Sequence, residues 1–221
     1  MTEIKVYQYI MFGIILIASV YGMLQMFKKR VPVYFMLYIC GAWCFAVRLI
    51  YIFLIQACGE IYNEASSLSF LGIGGMFAFF ATANYGTFNS LIDDRGNKIW
   101  LLRIVSHLNA FLVAALIALE VFFAHLPLFN IITLFISLFP VPCCVYFATK
   151  ILLMRSNGDN LLMGVKPLNF STLLICFGIL AYILFRMTGS EFGANISFGV
   201  YTGCVAANVF LADWGRKQWL K

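Results

Sequence analysis

The chain has 221 residues, of which 63% are hydrophobic and 17% aromatic, and only 11% carry a charge. A soluble domain usually carries about 25% charged residues, so this composition excludes an ordinary soluble protein. The formal net charge of +6 does not indicate a nucleic-acid partner, because the basic residues lie in short segments beside long apolar runs. Apolar runs of about 18 residues or more are typical of membrane-spanning helices. The sequence therefore predicts an all-α integral membrane protein whose partner is the lipid bilayer.

The apolar runs predict one transmembrane domain over residues 1–221, built as a seven-transmembrane-helix bundle. The predicted spans, in chain order, are 6–27, 31–55, 70–92, 99–124, 128–153, 170–187 and 195–212. The segment 155–169 is rich in Asn and Gly, contains Pro167, and is predicted to be a loop. Pro140 and Pro142 fall inside the fifth span and predict a kink, because each proline removes a backbone N–H donor.

The lysine and arginine residues predict the orientation of the chain in the membrane. They cluster on one side of the predicted spans, at residues 28–30, 95–98, 155–166 and 216–221. The loops on the other side carry Glu60, Glu64 and Glu191 and contain no Lys or Arg. Because cytoplasmic loops carry an excess of Lys and Arg, we predict that the N-terminus lies outside and the C-terminus lies in the cytoplasm. The protein is expected to be a multi-pass protein of the cell membrane.

The motifs of common cofactor and catalytic sites are absent from the sequence. The two histidines, His107 and His125, lie about 27 Å apart on one helix at 1.5 Å per residue, so they cannot bind one haem. Two distant histidines are also too few for a metal-dependent membrane hydrolase. Neither a G-x-S-x-G elbow nor a phosphate-binding loop occurs. The sequence therefore predicts no metal, no cofactor and no catalytic residue.

Three ionisable residues inside the spans are the first candidates for a binding site, because buried charge is costly in a membrane. Arg48, Glu120 and Arg186 lie toward the predicted outer ends of the second, fourth and sixth spans. Two guanidinium groups can hold a carboxylate in a bidentate manner. These residues predict an outward-facing site for a small polar, anionic or zwitterionic ligand. The alternative is that Glu120 pairs with one arginine while the other extends to the lipid headgroups.

Four residues toward the predicted cytoplasmic side are candidates for an inner gate. Arg103 and His107 are four residues apart and share one face of the fourth span. Asp93 ends the third span and Asp213 ends the seventh. Ion pairs among these residues could break and reform as a gate. The alternative is that they cap helices and contact headgroups.

A seven-helix chain places its first three and last three spans in the same sense, as in small transporters made of two helix triplets and a linker helix. Ala83-Asn84 in the third span resembles Ala207-Asn208 in the seventh. The spacings to the neighbouring polar residues differ, so chance accounts for this similarity better than an internal repeat does.

Two functions follow from these features. We predict a sensor or receptor-like module that binds its ligand from the outer side and acts through a cytoplasmic protein partner or a homo-oligomer. The alternative is a small-solute transporter with a 3+1+3 helix arrangement and a midplane site near Asn84, Asn109 and Asn208. The lack of an effector domain in the sequence weakens the first function. The lack of a convincing repeat and of buried coupling carboxylates weakens the second.

Overall fold

The computed structural model describes residues 2–28, 31–57, 67–88, 97–123, 132, 135–154 and 160–219. These residues form seven α-helices and contain no strand. The helices are α1 (Thr2–Met26), α2 (Val33–Ala57), α3 (Ser67–Phe88), α4 (Asn97–Phe123), α5 (Pro140–Leu153), α6 (Asn160–Met187) and α7 (Glu191–Trp219). The predicted all-α class is confirmed.

Five helical segments in the described part of the chain are long and apolar enough to cross a membrane. They are Tyr7–Met26, Val33–Ile55, Phe135–Leu153, Gly164–Arg186 and Glu191–Gln218. Large apolar side chains on their outer faces are exposed, whereas polar side chains such as Asn84 and Asn208 are buried. This distribution suits a lipid environment, in which exposed apolar surface carries no penalty. The described chain is therefore all-helical, with five helices able to cross a membrane by length and composition, and the count of seven spans and the orientation stay predictions.

The fifth predicted span continues through Phe139, whose dihedral angles, φ −53° and ψ −38°, are those of an α-helix. Residues 135–138 are helical, and the Phe139 N–H donates to the carbonyl of Phe135 at 3.0 Å. The helix α5 then begins with Pro140 in its first position. Proline is tolerated there because the first N–H groups of a helix have no partner inside the helix.

The start of α6 differs from the sequence expectation. The helix begins at Asn160, ten residues before the predicted start at 170, and it contains Pro167. Tertiary packing explains the extension, because a Cβ atom added at Gly164 would lie 3.1 Å from the Cα atom of Gly215 in α7. Two glycines facing each other allow close approach of two backbones. This contact offsets the poor helix propensity of Gly and Pro.

Along the chain, α4 separates two sets of three helices, α1–α3 and α5–α7, which we call triplets. The largest contact inside the first triplet is between α2 and α3, and the largest inside the second is between α6 and α7. Between the triplets, α1 packs against α7 and α5 packs against α3. The remaining helix, α4, packs mainly against α5. The α1–α7 contact therefore corresponds to the α5–α3 contact, whereas α2 also packs against α7 without a comparable contact between α6 and α3 in the described part of the chain.

Candidate functional site

Two buried asparagines occupy similar places in the two triplets. Asn84 lies on α3 and Asn208 on α7, and each side chain is 1% exposed. The Tyr38 hydroxyl of α2 donates to Asn84 Oδ1 at 3.1 Å. The Asn208 Nδ2 group donates to Thr172 Oγ1 of α6 at 3.2 Å. In each triplet, the asparagine of the third helix is thus bonded to the second helix.

The two bonded pairs lie next to each other. Tyr38 lies beside Thr172 and beside the thiols of Cys144 and Cys176, so its ring connects the first triplet to the second. We call this set the asparagine layer, and its members are Tyr38, Asn84, Cys144, Thr172, Cys176 and Asn208. All six side chains are buried and uncharged at neutral pH. The layer draws on α2, α3, α5, α6 and α7.

The asparagine layer has hydrogen-bonding groups that no described residue uses. The Thr172 hydroxyl donates to the carbonyl of Leu168 at 2.9 Å, which leaves its oxygen to accept from Asn208. Asn84 Nδ2 and Asn208 Oδ1 are buried and have no hydrogen-bond partner among the described residues. Buried polar groups are normally paired. The layer therefore contains one amide donor on α3 and one amide acceptor on α7 that are buried without a partner among the described residues.

Asn109, the third asparagine of the midplane prediction, belongs to a different contact. Its Nδ2 group donates to Thr149 Oγ1 of α5 at 2.9 Å. This bond ties α4 to α5. Two of the three asparagines therefore lie in the asparagine layer, whereas the third bonds α4 to α5.

The Asp213 cluster lies toward the C-terminal end of α7, and its carboxylate is 3% exposed. Asp213 Oδ1 accepts from Arg216 Nε at 3.1 Å and from Arg216 Nη2 at 2.5 Å. Asp213 Oδ2 accepts from the Tyr21 hydroxyl of α1 at 3.0 Å and pairs with Lys217 Nζ at 2.8 Å. The Arg216 guanidinium also lies 5.5 Å from the ring centre of Phe35 in α2. The cluster therefore joins α7 of the second triplet to α1 and α2 of the first.

The other residues of the predicted inner gate lie elsewhere. His107 Nδ1 donates to the carbonyl of Arg103 at 2.7 Å, which places a proton on Nδ1 because a carbonyl can only accept. The His107 ring packs edge-on against Tyr146 of α5, with ring centres 4.6 Å apart. His107 therefore contacts α5, whereas Asp213 is bonded to Tyr21 of α1 and to residues of its own helix α7. Asp93 lies outside the described residues.

The predicted outer-site residues differ in burial. Arg48 is 7% exposed inside α2, and its guanidinium lies 5.6 Å from the ring centre of Phe45. Phe45 in turn packs edge-on against Tyr201 of α7 at 5.8 Å. Arg186 is exposed at the C-terminal end of α6. The side chain of Glu120 lies outside the described residues, so only Arg48 is placed within the bundle.

Sequence reasoning singled out Asn84, Asn208 and Asp213 but missed their partners Tyr38, Thr172 and Tyr21. A tyrosine or threonine in an apolar run is usually a packing residue, so the sequence carried no distinct signal for these three. The pairs are separated by 46, 36 and 192 positions along the chain. Only the tertiary structure brings them together.

Comparisons with known proteins add no family to this geometry. A scan against family models, a search of curated proteins and a search of solved structures each find no match to the chain. Among the described residues, no group of three or more His, Cys, Asp or Glu side chains is placed to hold a metal ion. The candidate functional features of the described chain are therefore the asparagine layer, the Asp213 cluster and Arg48.

Proposed function

We propose that this protein is a small-solute transporter whose two helix triplets move relative to each other around the asparagine layer. The observation that carries the proposal is the placement of Asn84 and Asn208, which lie on the third helix of each triplet with buried polar atoms left unpaired. Transporters built from repeated helix triplets bind substrate near the bilayer midplane, between the repeats. The corresponding contacts of the two triplets support the same arrangement.

The chemistry of the layer favours a neutral polar solute. Asn84 Nδ2 supplies a donor and Asn208 Oδ1 supplies an acceptor, and a hydroxyl or carboxamide group of a solute can satisfy both. The layer contains no charged side chain, so an ion would lose its hydration without gaining an ionic partner. The ring of Tyr38 adds an apolar surface for the carbon skeleton. A polyol, a sugar or a small amide fits this set of groups.

The Asp213 cluster supplies a gate for the proposed transport cycle. It is a polar contact between the triplets, through Tyr21 to Asp213 and through Phe35 to Arg216. While these contacts hold, the triplets stay together at this end of the bundle. Separation of Asp213 from Tyr21 would open a path from this end toward the asparagine layer.

Uptake by proteoliposomes tests the proposal. The purified protein is reconstituted and supplied with radiolabelled polyols, sugars, small amides and, for comparison, small carboxylates. We expect the protein to take up a neutral solute. The rate of uptake should fall about tenfold or more in Asn208→Val and in Asn84→Val, because each variant loses a hydrogen bond that binds and orients the solute. Asn109→Val is the matched control, since Asn109 is bonded to Thr149 outside the layer. Unchanged uptake by both layer variants would refute the proposed site.

Arg48 supports a second candidate, the sensor or receptor-like module. An arginine buried in a span is costly, and this one lies over Phe45 beside the aromatic residues of α7. Its guanidinium suits a small anionic or zwitterionic ligand entering from the predicted outer side, with a cytoplasmic protein or a second copy as the signalling partner. A thermal-shift screen of small anions tests this function. Stabilisation lost in Arg48→Gln, retained in Arg48→Lys and unaffected by Asn208→Val would favour sensing over transport.

A further inference from the structure

We propose that an open groove on α4 binds an anionic phospholipid. The groove has a volume of about 600 Å³ and is lined by Trp100, Arg103, Ile104, His107, Leu108 and Phe111. All six residues belong to one helix and recur at intervals of three or four positions, so they form a single stripe along it. The groove is separate from the asparagine layer, and the proposal does not depend on transport.

The groove changes from polar to apolar along its length. Arg103 and His107 lie near its first end with Trp100, and Phe111 lies at the other end. Arg103 and Phe111 are eight residues apart, which is about 12 Å along a helix. A phospholipid has the same order of parts, with a charged phosphate above a glycerol backbone and acyl chains. The match in polarity is the first argument for this occupant.

The stripe is open along α4. Trp100 is 68% exposed, Leu108 64% and Phe111 76%. Lipid tails cover such surfaces in a membrane, and tryptophan prefers the depth of the headgroups. Trp100 lies near the start of α4, where that depth is expected. The groove therefore has the headgroup region at one end and the hydrocarbon region at the other.

Charge complementarity selects an anionic headgroup. The guanidinium of Arg103 can bind two phosphate oxygens in parallel, and basic pockets beside spans are recognised lipid-headgroup sites. The side of the groove facing the bundle is fixed, because His107 packs against Tyr146 and Asn109 is bonded to Thr149 on α5. The contacts of α4 with α5, together with Arg103 near the Trp100 end of the groove, distinguish a lipid site from a non-specific apolar surface.

Native mass spectrometry tests the proposal. The purified protein is released from micelles that contain equimolar phosphatidylglycerol and phosphatidylcholine. We expect preferential retention of phosphatidylglycerol, and a loss of about tenfold in Arg103→Gln, since a hydrogen bond to a charged group is worth about that factor in affinity. Lys28→Gln is the matched control, because Lys28 is an exposed cation outside the groove. Arg103→Lys is expected to retain part of the preference, and millimolar inorganic phosphate is expected not to displace the lipid.

Three outcomes would overturn the proposal. The first is equal retention of both lipids by the parent protein, which decides the question even if Arg103→Gln fails to fold. The second is an equal loss in Arg103→Gln and Lys28→Gln, which would indicate attraction by net charge alone. The third is a change of oligomeric state in Arg103→Gln, measured by light scattering, without a change in lipid preference. That result would make the α4 stripe a contact between copies of the chain.

Discussion

The asparagine layer and the Asp213 cluster use the same helix in opposite ways. Asn208 and Asp213 are five residues apart on α7, about 7.5 Å along the helix axis. The layer is neutral, and two of its amide atoms are without a partner among the described residues. The cluster is charged, and both carboxylate oxygens of Asp213 are bonded, one to Arg216 and the other to Tyr21 and Lys217.

This difference distinguishes the Asp213 cluster, a contact between the triplets, from the asparagine layer, the proposed binding site. A buried charge is tolerated only when it is paired. Both carboxylate oxygens of Asp213 are already bonded within the cluster, so the cluster does not offer them to a ligand. Buried amide atoms without partners are unfavourable unless something else satisfies them. In the proposed transport cycle, the solute binds at the layer, where two amide atoms lack a partner among the described residues, and the cluster holds the triplets together.

The largest expected effect is that of Asp213→Asn. The substitution leaves the buried Arg216 guanidinium without its carboxylate, and breaking a buried pair in this way costs about 3 kcal/mol of unfolding free energy. The measurement is reversible unfolding of the purified protein in mixed micelles. In the double variant Asp213→Asn with Arg216→Gln, both charges are gone and much of the loss should be recovered. A single variant as stable as the parent would show that the cluster does not hold the triplets together.

A smaller effect is expected for Tyr38→Phe in the asparagine layer. The change removes the donor to Asn84 Oδ1, and a hydrogen bond between membrane helices contributes about 0.6 kcal/mol on average. A double-mutant cycle of Tyr38→Phe with Asn84→Val should give a coupling energy of that size. The same unfolding assay measures it. A coupling energy as large as the loss of unfolding free energy in Asp213→Asn would show that the layer holds the helices together as strongly as the cluster does.

The smallest effect is expected for Lys217→Gln. The Lys217 side chain is 60% exposed although its Nζ lies 2.8 Å from Asp213, and water and salt screen such a pair. Asp213 keeps its bonds to Arg216 and Tyr21 in this variant. The midpoint of unfolding should therefore match that of the parent at low and at high salt. A salt-dependent fall in the midpoint of unfolding would show that Lys217 contributes to the stability of the Asp213 cluster.

Much of the helical framework was predictable from the apolar runs. The helices α2, α3 and α4 begin and end within a few residues of the predicted spans 31–55, 70–92 and 99–124, because a chain in lipid must satisfy its backbone N–H and C=O groups within its own helices. The start of α6 was not predictable. Local propensity favoured a loop through Pro167, and the contact of Gly164 with Gly215 outweighed it.

The candidate site was predictable only in part. The sequence analysis noted the Ala-Asn motifs of Asn84 and Asn208 but attributed their similarity to chance, and it placed Asp213 at the end of a span. It also grouped Asp213 with Arg103 and His107, which the structure holds on α4 against α5. Helical periodicity shows which residues share a face, but it does not show which helix that face meets.

The sequence by itself predicted a helical protein with segments apolar enough to cross a membrane, because long apolar runs with few charges are typical of membrane-spanning helices. The tertiary structure decided which polar side chains meet: Tyr38 with Asn84, Thr172 with Asn208, and Tyr21 with Asp213. Lipid tails are as apolar as the interior of the bundle, so hydrophobicity does not mark the inward face of a membrane helix. The inward face is set by close packing and by hydrogen bonds between helices that are far apart along the chain.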